Sequence, residues 1–295
     1  MSLFSLLGAL EIGLIFSLVA LGVYISFRLL RFPDLTVDGS FPLGGAVCAT
    51  LIASGASPYT ATLAATAAGA AAGLLTGWLN VRLRIMDLLA SILMMIALYS
   101  INLRIMGGPN VPLITEPTLF TLLQPANMED YVARPLLLLV IVVALKLAMD
   151  WFFATERGLA IRATGSNARM ARAQGVNTGA MVLLGMAVSN ALVALAGALF
   201  AQTQGGADIS MGIGTIVIGL AAVIVGESIL PSRRLVLATL AVVIGAIVYR
   251  FFIALALNSE FIGLKAQDLN LVTALLVTVA LVIPQLRRRI ARRPN

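Results

Sequence analysis

"LVALGVYISFRLLRFPDLT", residues 18–36, carries an apolar run into two arginines and then into Phe32-Pro33-Asp34. The run begins near residue 8, so it is long enough for the roughly 20 residues that one helical bilayer crossing needs. Proline and the residue before it both resist helix, so the crossing ends there. The same order returns later in the chain: Leu192-Val193-Ala194-Leu195 is followed by Asp208-Ile209-Ser210, just as Leu18-Val19-Ala20-Leu21 is followed by Asp34-Leu35-Thr36, and both matches lie 174 residues apart. Two matches at one offset read as a duplicated unit. An odd number of crossings between the copies inverts the second one, an arrangement common among transporters.

Composition fixes the class. The chain has 295 residues, 60% hydrophobic and 11% charged, with a mean hydropathy of +1.01. Such a chain cannot wet a soluble surface, and its long unbroken runs differ from the alternation of membrane barrels. We read an all-α polytopic membrane protein with about eight to nine crossings, near residues 8–30, 40–57, 59–81, 86–105, 134–153, 179–202, 211–230, 235–254 and 269–286. The second and seventh are short and glycine-rich, which marks them as broken or re-entrant. The repeats are placed at about 1–105 and 179–286, with 134–178 as a linking span and polar loop, all within one transmembrane domain 1–295.

Basic residues set the orientation. Arg28, Arg31, Arg82, Arg84, Arg157, Arg162, Arg169, Arg172, Arg233, Arg234 and five tail arginines fall on one side of the nine crossings, whereas Arg104, Arg134, Arg250 and Lys265 fall on the other. The positive-inside rule puts the N-terminus outside, the C-terminus in the cytoplasm and the loop 106–133 outside. The N-terminus lacks a cleavable signal pattern, so its first run is expected to be retained. Dispersed arginines of this kind fix topology, and no nucleic acid partner is expected. Histidine is absent and Cys48 is the only cysteine, which argues against disulfide, zinc, haem and iron–sulfur chemistry in this chain.

Three polar constellations interrupt the oil. The first is "RATGSNARMARAQGVN", residues 162–177. Ser166 or Asn167 suits a helix N-cap and Gly175 a stop, so a short cytoplasmic helix is expected, with Arg169 and Arg172 on one face. A solvated topology loop explains the charge but not the turn residues; a small helix fixed between spans has the form of a part that docks on a cytosolic partner.

The second is the pair "PDLTVDGS" (33–40) and "GGADISMGIG" (205–214). Pro33, Gly39, Pro42, Gly205, Gly206, Gly212 and Gly214 make continuous helices improbable here. One reading is capping, by Asp38 or Ser40 on the second span and Asp208 or Ser210 on the seventh. The other makes Asp34, Thr36, Asp38, Ser40, Gly206, Asp208 and Ser210 part of a translocation route. The two are compatible. The third constellation is Glu11, Asp87, Lys146, Asp150, Glu227 and Arg250 inside or near spans; most lie near span ends, and Lys146 with Asp150 has the i, i+4 spacing of a pair. Small residues, among them Gly69, Gly73 and Gly77, suit close helix packing, within the bundle or at a homodimer seam.

"RATGSNARMARAQGVNTGAMVLLGMAVSNALVALAGAL" resembles the cytoplasmic coupling segment and following helix of permease subunits of ABC importers of the branched-chain amino acid and ribose class, through Arg162, Gly165, Asn167, Ala171, Gly175, Val176 and Asn177. "SLVALGVYISFRLLRFPDLTVDGSFPLGG" is similar to the opening of those permeases, and "GLAAVIVGE" (219–227) to a later stretch. "DLTVDGS" looks closest to the tryptophan/tyrosine-type subgroup. The resemblance covers about residues 11–286. It implies a permease paired with a second copy, cytosolic ATPase subunits, and an extracytoplasmic binding protein, in the cytoplasmic (inner) membrane of a bacterium. It implies a coupling role for Arg162, Gly165, Ser166, Asn167, Arg169, Ala171, Arg172, Gly175, Val176 and Asn177. No G-x-x-x-x-G-K-[ST] loop is present, so ATP and Mg are expected on the partner ATPase, with no cofactor on this chain. A secondary transporter or channel with inverted repeats is the alternative. An intramembrane enzyme would need groups such as Asp34 and Asp208 to face one cavity.

Overall fold

The structure is a computed structural model that describes residues 3–124, 129–232, 234–258 and 278. Seven helices among the described residues are long and apolar enough to cross a membrane, and Val37–Ala53 is a shorter apolar helix. They are α1 (Leu3–Val23, continued by a π-helical stretch Tyr24–Leu30), α2 (Val37–Ala53), α3 (Pro58–Val81) and α4 (Asp87–Met106). After a strand β1 (Asn110–Pro112) and a short helix α5 (Leu119–Leu123) come α6 (Asp130–Ala154), α7 (Glu156–Ser166), α8 (Ala168–Ala173) and α9 (Thr178–Gln204). Strand β2 (Gly206–Asp208), a 3-10 turn Ile209–Gly212, α10 (Thr215–Ile229) and α11 (Leu235–Asn258) complete the described part. The protein is an all-α polytopic membrane protein. The expected ninth crossing (269–286) lies outside the described residues apart from residue 278, as do Arg233, Lys265 and the tail arginines.

The first eight expected crossings match α1, α2, α3, α4, α6, α9, α10 and α11. Leu63, Met86 and Trp151 are 70%, 74% and 74% exposed, which lipid solvates and water would not. Residues 110–123 of the loop 106–133 hold more structure than an apolarity profile reveals. Its strand β1 pairs antiparallel with β2, Asn110 opposite Asp208 and Pro112 opposite Gly206. Its helix α5 has a capping box between Thr118 and Thr121, and Leu119 N–H donates to Gln202 Oε1 of α9 at 2.8 Å.

The helix pairings come in twos. Helix α3 packs on α9 as α1 packs on α11, α2 on α3 as α10 on α11, and α2 on α9 as α10 on α1. Glycines make the tightest of these contacts. A Cβ on Gly69 would lie 2.5 Å from Asn190 O, and one on Gly73 would lie 2.1 Å from Met186 O; near Gly77 the contact loosens to 3.2 Å from Leu183. The stripe of small residues on α3 is therefore spent on α9 of the same chain, because without a hydrophobic force between helices in lipid, close backbone approach supplies the packing. Gly44 and Gly197 act likewise between α2 and α9, and Gly226 and Gly245 between α10 and α11.

Gly73→Ala is expected to destabilise by about 1–3 kcal/mol, the range for overpacking a tight contact, and to lower the unfolding temperature of the detergent-solubilised protein. Gly8→Ala, where a Cβ meets nothing within 4 Å, is expected to leave it unchanged or raise it slightly.

Candidate coupling and translocation site

The polar segment forms two helices rather than one. Thr155 caps α7, its Oγ1 accepting from Gly158 N–H at 3.4 Å. Ser166 is the last residue of α7 and not a cap; Asn167 takes that role, its Oδ1 accepting from Arg169 and Met170 N–H at 3.1 Å each. The reason is geometric. Asn167 is extended (φ −155, ψ 95), so it leaves one helix and opens the next in a single residue. Gly175 adopts φ +85 after α8, where glycine is favoured, and Val176 N–H returns to Ala171 O at 3.0 Å. Asn177 then caps α9 through Ala180 N–H at 3.1 Å.

This unit has a seat and a free face. A Cβ on Gly165 would lie 1.7 Å from Leu29 O, so α7 presses directly on the backbone of the π-helical end of α1. Ala171 is buried and Arg162 half-buried, whereas Arg169, Met170 and Arg172 are exposed. Beside the seat, Arg28 grips Glu227 at the end of α10 with two bonds, 2.7 and 3.0 Å. Glu227 is thus paired across the two halves of the chain.

The two broken segments meet different fates. After Leu30, Arg31 turns in the left-handed region (φ 57), and residues 32–36 run through the interior. Asp34 is fully buried: Oδ1 accepts Thr36 N–H at 3.0 Å and Oδ2 accepts Asn190 Nδ2 at 2.8 Å. Ser40 donates to Asn190 Oδ1 at 2.7 Å, and the Thr36 hydroxyl meets that of Thr76 at 2.9 Å. Asp34, Thr36 and Ser40 therefore share one closed network. Gly206, Asp208 and Ser210 lie apart from it, on β2 and the 3-10 turn, where Asp208 Oδ1 accepts from Ser210 N–H at 2.7 Å.

The capping expectation is corrected. Neither Asp38 nor Ser40 caps α2, whose N-cap Thr36 makes no side-chain bond to the N–H groups of that helix. Asp38 instead accepts Ile216 N–H at 2.7 Å and Gly214 N–H at 3.3 Å, and so caps α10. Asp208 caps the short 3-10 turn, and the N-cap of α10 is Gly214. Helix ends carry unsatisfied N–H groups, and the nearest acceptor in space satisfies them regardless of chain distance.

Three other charged sites near spans have side-chain partners. Lys146 lies 2.5 Å from Asp150, whose other oxygen accepts the Thr239 hydroxyl at 2.7 Å. Asp87 accepts from Asn80 at 2.5 Å. Arg250 stacks over Phe16 at 5.3 Å, next to the ring cluster Phe16–Phe41–Phe200. Sequence reasoning missed Asn190 and Asn102, since an asparagine on an apolar helix gives no signal until its neighbours are known. Asp34 and Asp208 share no hydrogen-bond partner.

A family model described as "Branched-chain amino acid transport system / permease component" matches residues 5–283. A tyrosine transport system permease protein of Clostridioides difficile (strain R20291) is 38% identical over 265 residues, 90% of this chain and 86% of that protein. An uncharacterized protein of Rickettsia prowazekii (strain Madrid E) is 34% identical over 94% of this chain and 96% of its own length. A galactofuranose transporter permease protein of Escherichia coli (strain K12) is 30% identical over 88% of this chain and 73% of its own length. No solved structure matches.

Asn190→Leu strips the Asp34 carboxylate and the Ser40 hydroxyl of a partner at once. It is expected to destabilise by about 3–5 kcal/mol, the cost of leaving a buried charge uncompensated, read as a large drop in detergent unfolding temperature. Asp208→Ala removes only a cap on a short turn and is expected to cost about 1 kcal/mol or less.

Proposed function

The chain belongs to the family of branched-chain amino acid transport system permease components, and from that premise we propose that it forms the route by which an ATP-driven importer passes an amino acid or a related small metabolite across the inner membrane. The observation that carries the coupling part of this reading is the α7–α8 unit. Its Gly165 is seated on the backbone of α1, while Arg169, Met170 and Arg172 point away from the bundle.

In this reading residues 162–177 contact a cytosolic ATPase that holds ATP and Mg, and a separate extracytoplasmic protein delivers the solute. Two copies of the chain line one pathway. The arginine-rich ends of the spans, including α8, face the cytoplasm, with the N-terminus outside and the C-terminus inside. The division into repeats at about 1–105 and 179–286, joined through 134–178, is supported by the helix pairings that come in twos. The relatives named for tyrosine and for galactofuranose transport point to small polar solutes, and the higher identity and coverage of the former favour an amino acid.

Motion must reach the pathway through contacts that differ between states. Closure of an ATPase pair would push α8. The push passes through α7 to the π-helical end of α1 at Leu29, and from Arg28 to Glu227 at the end of α10. Of the pathway candidates read from the sequence, Asp38 lines a cavity, whereas Asp34, Thr36 and Ser40 are fully buried in the network behind it.

The test is affinity purification of the tagged chain from its native membranes beside an Arg169→Glu, Met170→Asp variant, whose changes fall on exposed side chains. An ATPase subunit that copurifies with the parent and is lost with the equally stable variant is the expected result. No ATPase with either would overturn the reading and favour a secondary transporter.

A further inference from the structure

Three charged side chains from three elements meet at the arginine-rich end of the bundle. Arg28 comes from the π-helical end of α1, Glu227 from the end of α10, and Arg162 from α7. Tyr24, buried four residues before Arg28, lies within electrostatic reach of all three. Asp150 also reaches Tyr24, but that carboxylate is already held by Lys146 and the Thr239 hydroxyl.

The joint thus offers one carboxylate to two guanidinium groups. Glu227 gives both oxygens to Arg28, at 2.7 and 3.0 Å, in the planar fork that suits arginine. Arg162 is half-buried and bonds to no carboxylate among the described residues. It stands three residues before Gly165 and so shares the face of α7 that rests on Leu29 O. A guanidinium placed there without an acid of its own gains by reaching one. The pair that holds Glu227 is open to replacement, because its side chains are 61% and 32% exposed and water can stand in for either partner. The backbone of α1 is irregular at the same place. Tyr24–Leu30 is π-helical, a rare form that recurs at functional sites, and it ends on Arg31 in the left-handed region.

We propose that Glu227 is a shared positioning carboxylate that swaps Arg28 for Arg162 when α7 and α8 are displaced. Bound to Arg28, it ties α10 to α1. Bound to Arg162, it ties α10 to α7 and releases the end of α1. The joint then has two discrete arrangements with different contacts, as a partner-driven change requires. The inference rests on the importer reading for the force that displaces α8; the competition for Glu227 is a property of this chain.

The test is hydrogen exchange of the α7 amides, residues 159–166, in the purified full-length chain in detergent. Arg28→Gln leaves Glu227 with Arg162 as its available arginine. The expected result is that these amides exchange about two- to fivefold more slowly, the protection that a partly exposed ion pair supplies. Adding Arg162→Gln or Glu227→Gln to Arg28→Gln is expected to abolish the slowing. Arg28→Lys keeps the charge but loses the fork; it is expected to slow the same amides by less, and it provides the readout if Arg28→Gln lowers the unfolding temperature. A pair that only braces the fold predicts the opposite, with α7 exchanging at the parent rate or faster once Arg28 is lost. That result, or a slowing that survives Arg162→Gln, would overturn the proposal. No ATPase enters this measurement, so its failure and that of the importer reading are told apart.

Discussion

The carboxylate of Asp34 sits at the centre of the bundle with no exposed surface, held by Thr36 N–H on one oxygen and Asn190 Nδ2 on the other. A charge in that position costs several kcal/mol unless hydrogen bonds replace the water it has lost. The extended stretch 32–36 can therefore run through the interior only because α9 offers Asn190 at that height. The same asparagine accepts from Ser40, so it fixes both the break and the first turn of α2. With α2 anchored there, Asp38 falls beside the start of α10 and satisfies the N–H groups that the glycine-broken segment leaves open. Irregular backbone at membrane depth is tolerated where protein covers it, and here the cover is one network spanning both halves of the chain.

A fold fastened in this way concentrates movement at its ends. Glycine contacts between backbones, such as Gly44 against Ala194 and Gly197 against Phe41, leave α2 and α9 no slack to slide. The fastened centre thus behaves as a unit, while α7 and α8 hang from the end of α1 by the Gly165 contact and the turn at Gly158. In an importer, force applied to α8 then arrives at α1 and α10 as a tilt of whole helices. The cavity beside Asp38 lies between such units, with α4 as the outer wall, where a change in tilt alters its width.

Much of this was legible in the sequence because hydropathy and turn chemistry are local. Eight crossings followed from apolar length alone, and Asn167 and Gly175 announced their caps through residue type. The breaks at Pro33 and at the glycines 205–214 were legible for the same reason. What stayed hidden depends on neighbours distant in the chain. Asp38 reads as a cap for its own helix, yet it serves one whose first N–H is 176 residues later, at Gly214. Gly69 and Gly73 read equally well as an outer seam or an inner one until Asn190 and Met186 are seen against them. The pairing of β1 with β2 is two three-residue strands, too short to show a period of their own.

The most direct test of an interlocked centre is hydrogen exchange of the amides of 32–36 in the detergent-solubilised protein. Phe32 and Thr36 N–H are bonded to Ser26 O and Asp34 Oδ1, so they are predicted to exchange as slowly as the flanking parts of α1 and α2, although the segment is not helical. Exchange at the rate of an open surface linker would contradict the account.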